Sequence, residues 1–131
     1  MSSVSVRYIV DDVDAAIGFY CGQLGFTEVM HPAPPFAMLS HGDLRLLLSA
    51  PSGQGGGGQQ LADGSTPQPG GWNRFTLQVD DLEAEIERLR GAGVPLRSQL
   101  IEGIGGRQVL VADPSGNLVE LFQPTRDEAR L

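Results

Sequence analysis

At 131 residues, 40% of them hydrophobic, the chain has the length of one compact domain and enough apolar side chains to bury a core. Nine basic against sixteen acidic residues leave a net charge of −7, which repels nucleic-acid phosphates and anionic lipid and excludes both as expected partners. No run approaches the roughly 18–20 apolar residues of a membrane span, no basic-then-apolar leader opens the chain, and a cytoplasmic protein without membrane contact is expected.

Residues 4–10 mix apolar, β-branched and polar side chains and are expected to form a strand. Val10-Asp11-Asp12-Val13-Asp14-Ala15-Ala16-Ile17 then recurs without a gap as Val79-Asp80-Asp81-Leu82-Glu83-Ala84-Glu85-Ile86, 69 residues later, so the chain reads as a duplication. Asp11 with Asp14, and Asp80 with Glu83, have the spacing of an N-cap carboxylate and a third-position acid, which satisfy free amides and oppose the positive helix end. The first helix carries Val13, Ala16, Ile17, Tyr20 and Leu24 as one apolar stripe and stops at Gly25. Cys21, the only cysteine, excludes an internal disulfide, a CxxC motif and a Cys-rich zinc site, and packing within this helix is its expected role.

Strands are expected next at 26–30, 36–40 and 44–50, the last two joined by His41-Gly42-Asp43. Residues 52–71, with the run Gly55 to Gly58, read as a mobile connector that covers a binding cleft. The second copy starts with a strand at 74–79 and a helix whose stripe is Leu82, Ile86 and Leu89, stopped by Gly91 and Gly93. Strands follow at 95–100, 108–112 and 118–123, the last two joined by Asp113-Pro114-Ser115-Gly116-Asn117, where Pro fixes φ and Gly accepts a positive one. Each half reads βαβββ. The expected fold class is α+β, a single domain of two βαβββ modules forming a cupped, mostly antiparallel sheet: module one at 4–51, the connector at 52–71 and module two at 72–124.

With repeat and turns in place, the sequence resembles the vicinal-oxygen-chelate (glyoxalase/bleomycin-resistance/dioxygenase) superfamily from about residue 4 to 124. The resemblance is carried by Tyr8-Ile9-Val10-Asp11-Asp12, Phe19-Tyr20, Leu24-Gly25-Phe26, Val79-Asp80-Asp81-Leu82, Gly91-Ala92-Gly93-Val94 and Asp113-Pro114-Ser115-Gly116-Asn117-Leu118-Val119-Glu120-Leu121. It implies modules that cup a small-molecule cavity, within one chain or across a homodimer. Metal-using relatives place four inward ligands, His, Gln or Glu, on first and last strands, and the matching positions are Ser5, Leu46, Arg74 and Glu120. Leu46 offers no donor, Ser5 is a poor neutral ligand, and Arg74 puts a permanent positive charge beside any cation. No metal and no cofactor are therefore expected.

Two readings of Arg74 and Glu120 stand: the guanidinium replaces a metal's charge in a ligand cavity, or the two form an ordinary ion pair that registers the modules. Strand alternation places Arg74, Thr76 and Gln78 on one face and Phe75, Leu77 and Val79 on the other. Trp72 and Asn73, ahead of Arg74, offer a ring and an amide to a ligand, or Trp72 closes the core or a dimer interface. Arg107 and Gln108, in the glycine-rich rim 103–108, join Ser5, Arg7 and Phe122 as further expected ligand contacts. His31 and His41 lie outside the ligand positions and are expected to face solvent.

Three functions follow. The first is a metal-free binder that sequesters a small organic molecule. The second is a metal-independent lyase or isomerase with Glu120 as acid or base and Arg74 stabilising an oxyanion. The third is a metal-dependent glyoxalase or dioxygenase, which needs Glu120 together with ligands recruited from His31, His41 or a partner chain.

Overall fold

The computed structural model of the protein describes residues 4–51 and 56–131. Asp12, in extended backbone at φ −139°, accepts the Ala15 amide through Oδ1 at 3.1 Å and starts helix α1 (Val13–Gln23). Asp81, also at φ −139°, does the same for Ala84 at 3.1 Å and starts α2 (Leu82–Gly91). The cap is thus the second acid of each pair, not Asp11 or Asp80. This register puts Val13 and Leu82, both buried, at the first helical position, while the Asp11 amide donates to Ser115 Oγ at 2.8 Å.

Eight strands flank the helices: β1 (Val4–Ile9), β2 (Thr27–Ala33), β3 (Phe36–His41) and β4 (Leu44–Ser49) in the first half, and β5 (Arg74–Gln78), β6 (Ile101–Glu102), β7 (Gly106–Ala112) and β8 (Leu118–Pro124) in the second, of which β6 has only two residues. They make two four-stranded mixed sheets in the orders β1-β4-β3-β2 and β5-β8-β7-β6. In each, the first strand runs parallel to the last strand of its module and the other pairings are antiparallel. The expected strand at 95–100 does not form. Leu96 makes one bridge to Val111, and pairing resumes only at β6. Pro95 lacks an amide for a ladder, and Ser98 instead accepts the Leu110 amide through its hydroxyl at 2.9 Å.

The chain divides into two compact units: unit 1, Met1–Gly71 with the turn Asp113–Asn117, and unit 2, Trp72–Ala112 with Leu118–Leu131. In unit 1, α1 packs on β2, β3 and β4 through Val13, Ala16, Phe19, Tyr20 and Leu24, with Ala37, Leu39, Leu46 and Leu48 fully buried beneath. Phe19 takes the core place expected for Ile17, which is half-buried. Gly25, at φ +75°, turns the chain out of the helix. In unit 2, α2 packs Leu82, Ile86 and Leu89 on Val109, Val111, Val119 and Leu121. Burying one such Leu or Val contributes about 1.5–3 kcal/mol. Among the described residues no helix is long and apolar enough to cross a membrane.

Residues 52–55 of the expected connector lie outside the described residues. From 56 to 71 there is no helix or strand. Gly64, at φ +90°, closes a turn in which the Leu61 amide donates to the Ser65 carbonyl at 2.8 Å. Hydrogen bonds from the Ser65 hydroxyl and amide hold the Asp63 carboxyl below its ordinary pKa.

The turn Asp113–Asn117 is organised by a carboxylate that is 4% exposed. Asp113 Oδ1 accepts the Ser115 and Asn117 amides, each at 2.9 Å, and Oδ2 accepts the Tyr20 hydroxyl at 2.8 Å and Asn117 Nδ2 at 3.1 Å. Asn117 Nδ2 also donates to the Ile9 carbonyl at 2.8 Å, and its Oδ1 accepts the Gly70 amide at 2.9 Å. Burial, then the charge of Asp113, push the Tyr20 phenol far above its ordinary pKa, which keeps it a hydrogen-bond donor to Asp113 at neutral pH. Tyr20→Phe deletes a donor to a buried carboxylate, and chemical denaturation is expected to read a loss of about 1.5–3 kcal/mol. A loss below about 0.5 kcal/mol, the range of ordinary surface substitutions, would mean that this hydrogen bond contributes nothing net.

Candidate functional site

Because strand side chains alternate, the face buried under each helix fixes what the opposite, open face presents. On β1, Tyr8 is buried toward α1, so Ser5, Arg7 and Ile9 point to the open face. The register pairs them with Arg45, Leu47 and Ser49 of β4, beside Ser40, Met38 and Phe36 of β3. Leu46 pairs with Val6 and lies in the core beneath α1, so the expected inward position is in fact Leu47.

A cavity of about 630 Å³ opens in unit 1. Apolar Pro32, Ala33, Pro35 and Phe36 line it together with Arg7, Ser49 and the backbone of residues 56–58. Arg7 Nη1 donates to Ser49 Oγ at 3.4 Å, and Ser49 is 2% exposed. A Cβ at Gly57 would overlap the Arg7 guanidinium, and one at Gly58 would overlap the Ala50 carbonyl. Gly58 in particular allows close backbone approach to the Ala50 carbonyl beside this cavity.

In unit 2, Arg74, Thr76 and Gln78 share the open face with Leu118, Glu120 and Phe122 of β8, while Phe75 and Leu77 are buried toward α2, as alternation anticipates. Arg74 Nε lies 3.0 Å from Glu120 Oε1, with the side chains 27% and 13% exposed. Gln108 joins this face, paired with Phe122. Gln78 Oε1 accepts the Leu131 amide at 2.7 Å.

Other expected contacts are placed elsewhere. Arg107 points to the helix side, where Nη1 meets Glu83 Oε1 of α2 at 2.8 Å and Nη2 meets Gln123 Oε1 at 3.3 Å, and Glu83 raises its pKa above the ordinary value. Trp72 is 67% exposed with the Arg97 guanidinium 5.5 Å from its ring centroid, so it closes no core in unit 2. Asn73 beside it is exposed. His41 is exposed with its ring 5.0 Å from Phe26. His31 departs from the solvent-facing expectation: its side chain is 24% exposed, Nδ1 is 3.9 Å from Asp14, and Nε2 is buried with no partner among the described residues. Burial, then Glu28, raise the Cys21 thiol above its ordinary pKa.

The donor set does not fit a divalent metal. Glu120 is the only acidic residue in β1, β3, β4, β5, β7 and β8, and a guanidinium already occupies one of its oxygens. The open face of unit 1 offers Ser5 and Leu47 where ligands would stand, with Arg45 paired to Ser5. Among the described residues no three His, Cys, Asp or Glu side chains gather.

The family model described as the Glyoxalase/Bleomycin resistance protein/Dioxygenase superfamily matches residues 3–121. A bleomycin resistance protein of Geobacillus stearothermophilus is 28% identical over 120 residues, covering 87% of this chain and 90% of the relative. Among solved structures, a superfamily member from Sphaerobacter thermophilus DSM 20745 is similar with a TM-score of 0.74 and 25% identity, over 94% of this chain and 97% of that one. TnmS3, an antibiotic binding protein from Streptomyces sp. CB03234, has a TM-score of 0.71 and 24% identity over 95% of this chain and 97% of its own. A lactoylglutathione lyase from Agrobacterium tumefaciens has a TM-score of 0.72 and 23% identity over 93% of this chain and 92% of its own. At those identities the last two share the fold.

Arg74 and Glu120 are each other's counter-charge, so removing one leaves the other stranded in a half-buried place. Glu120→Ala or Arg74→Ala alone is expected to cost about 1–3 kcal/mol, below a fully buried pair because water still reaches both groups. Arg74→Met with Glu120→Leu is expected to cost less than either. Additive losses in a denaturation double-mutant cycle would refute the coupling.

Proposed function

The chain belongs to the glyoxalase/bleomycin resistance protein/dioxygenase superfamily, and from that premise we propose that it is a metal-independent binder that sequesters a small organic molecule in the cavity of unit 1. The cavity carries this reading. At about 630 Å³ it falls within the range of small-molecule sites, and it combines a mostly apolar wall with two converging polar groups, Arg7 and Ser49. The metal-free part rests on the donor chemistry, since Arg74 occupies Glu120 and Ser5 neighbours Arg45.

Sequestration is favoured over turnover because the cavity lining among the described residues contains no carboxylate, thiol or imidazole to move a proton or attack a bond. Glu120, the one acid of β1, β3, β4, β5, β7 and β8, is held by Arg74 in unit 2. The names of the bleomycin resistance protein and of TnmS3 concern those proteins and support the same class of behaviour. A homodimer belongs to this reading: β2 is an edge strand that leaves Val29 and Met30 exposed at 52% and 41%, surface that association would cover.

A ligand at a hundredfold excess over Kd stabilises the folded state by about 2.7 kcal/mol, which a thermal-shift screen of planar aromatic compounds reads directly. The shift is expected in the wild type and is expected to shrink in Phe36→Ala. No shift with any compound, or a full shift in the variant, would remove this cavity from the reading. Elemental analysis of the purified protein is expected to find substoichiometric metal, and one tightly bound transition metal per chain would overturn the metal-free part. Sedimentation is expected to give twice the chain mass of 13.9 kDa, and a monomer throughout the micromolar range would remove the dimer.

A further inference from the structure

Resting on the cavity reading above and going beyond it, we propose that the ligand is an organic anion: a planar apolar body ending in a carboxylate or another oxyanion, received by the Arg7 guanidinium. The charge accounting points there. The chain is acidic, with a net charge of −7, and five of its arginines, Arg74, Arg88, Arg107, Arg126 and Arg130, stand within 4.0 Å of a carboxylate. Arg7, like Arg45, Arg90 and Arg97, meets none among the described residues, and of these four Arg7 alone lines the cavity. Its contact is the neutral Ser49 hydroxyl at 3.4 Å, which uses one of the five N–H donors of the fork.

The duplication explains why the counter-charge is missing. With Val10 aligned on Val79, Ser5 corresponds to Arg74 and Arg7 to Thr76. Across the parallel ladder Thr76 pairs with Glu120, whereas Arg7 pairs with Leu47. The carboxylate that neutralises Arg74 in one module is thus a leucine in the other. Arg45, on the same face as Arg7, adds a second positive charge, its Nη1 held by the neutral carbonyls of Gly42 at 2.8 Å and Leu44 at 3.1 Å.

Ser49 supplies the matching donor. It is 2% exposed, lines the cavity and accepts from Arg7, and its own hydroxyl proton has no acceptor among the described residues. An oxyanion placed there takes two guanidinium N–H groups side by side and the serine O–H, a charge-assisted set formed by the exposed Arg7 and the buried Ser49. Phe36, Pro32 and Pro35 receive the flat apolar remainder. A cationic ligand would instead meet an uncompensated like charge.

Two fluorescent probes with the same aromatic skeleton separate the possibilities: anionic 8-anilino-1-naphthalenesulfonate and neutral N-phenyl-1-naphthylamine, each titrated into the full chain. The wild type is expected to prefer the sulfonate by about tenfold or more, the size of one charge-assisted hydrogen bond. Arg7→Gln is expected to erase that preference by weakening the sulfonate while leaving the neutral probe unchanged. Arg7→Lys is expected to keep part of it, and Leu47→Glu, which restores to module one the acid of module two, is expected to lose it. Circular dichroism on each variant establishes that the fold is retained. Equal binding of the two probes in the wild type, or an undiminished preference in Arg7→Gln, overturns the anionic ligand while leaving a binding cavity. Failure of both probes to bind overturns the cavity reading and this one with it.

Discussion

A single buried carboxylate, Asp113, organises the part of the structure on which both β1 and α1 rely. Leaving an ionised group 4% exposed costs several kcal/mol unless each oxygen is hydrogen-bonded. Here both oxygens are served twice: two turn amides on Oδ1, and the Tyr20 hydroxyl with Asn117 Nδ2 on Oδ2. Asn117 passes the restraint to the Ile9 carbonyl at the end of β1. The arrangement is needed once. The counterpart of Tyr20 in the second module is Leu89, equally buried, which brings no hydroxyl and demands no partner. Fixing the end of β1 fixes its alternation, and so fixes that Arg7 rather than Tyr8 faces away from the helix.

Most of the fold was legible because the duplication exposed it. The repeated acid-rich octapeptide located both helices, although the paired acids hid which of two carboxylates caps. Asp11 and Asp12 are chemically identical, and only the demand that Val13 start buried selects the second. Residues 95–100 misled for a different reason. Their apolar residues suit a strand, but Pro95 and a serine whose hydroxyl accepts the Leu110 amide disrupt pairing there, which no periodicity registers.

The site was legible on β5 and illegible on β4. In Arg74-Phe75-Thr76-Leu77-Gln78 polar and apolar residues strictly alternate, so the faces can be assigned by inspection. In Leu44-Arg45-Leu46-Leu47-Leu48-Ser49 three consecutive leucines satisfy either phase, and a one-residue slip exchanges the faces. Leu46 and Leu47 thereby changed places in the expected inward set. The glycine run was read as slack in a connector, whereas at residue 58 it allows the backbone to approach the Ala50 carbonyl more closely than a side chain permits. Arg107 looked available because its partner, Glu83, is distant in sequence.

One substitution in a duplicated scaffold gives the two open faces different electrostatics. Where Glu120 stands on β8, the guanidinium of Arg74 is answered within its own module, and the face around it, with Thr76, Gln78 and Gln108, is polar but self-neutralised. Where Leu47 stands on β4, Arg7 and Arg45 share a face whose strands contain no acid in β1, β3 or β4. A neutralised pair contributes register and little attraction for charged solutes. An unpaired guanidinium at the polar end of a cavity stays available to an anion, in a chain whose net charge of −7 otherwise repels one. The chemistry that distinguishes the modules therefore lies in the polar residues of the open faces, where a change of charge leaves the helix-covered core untouched.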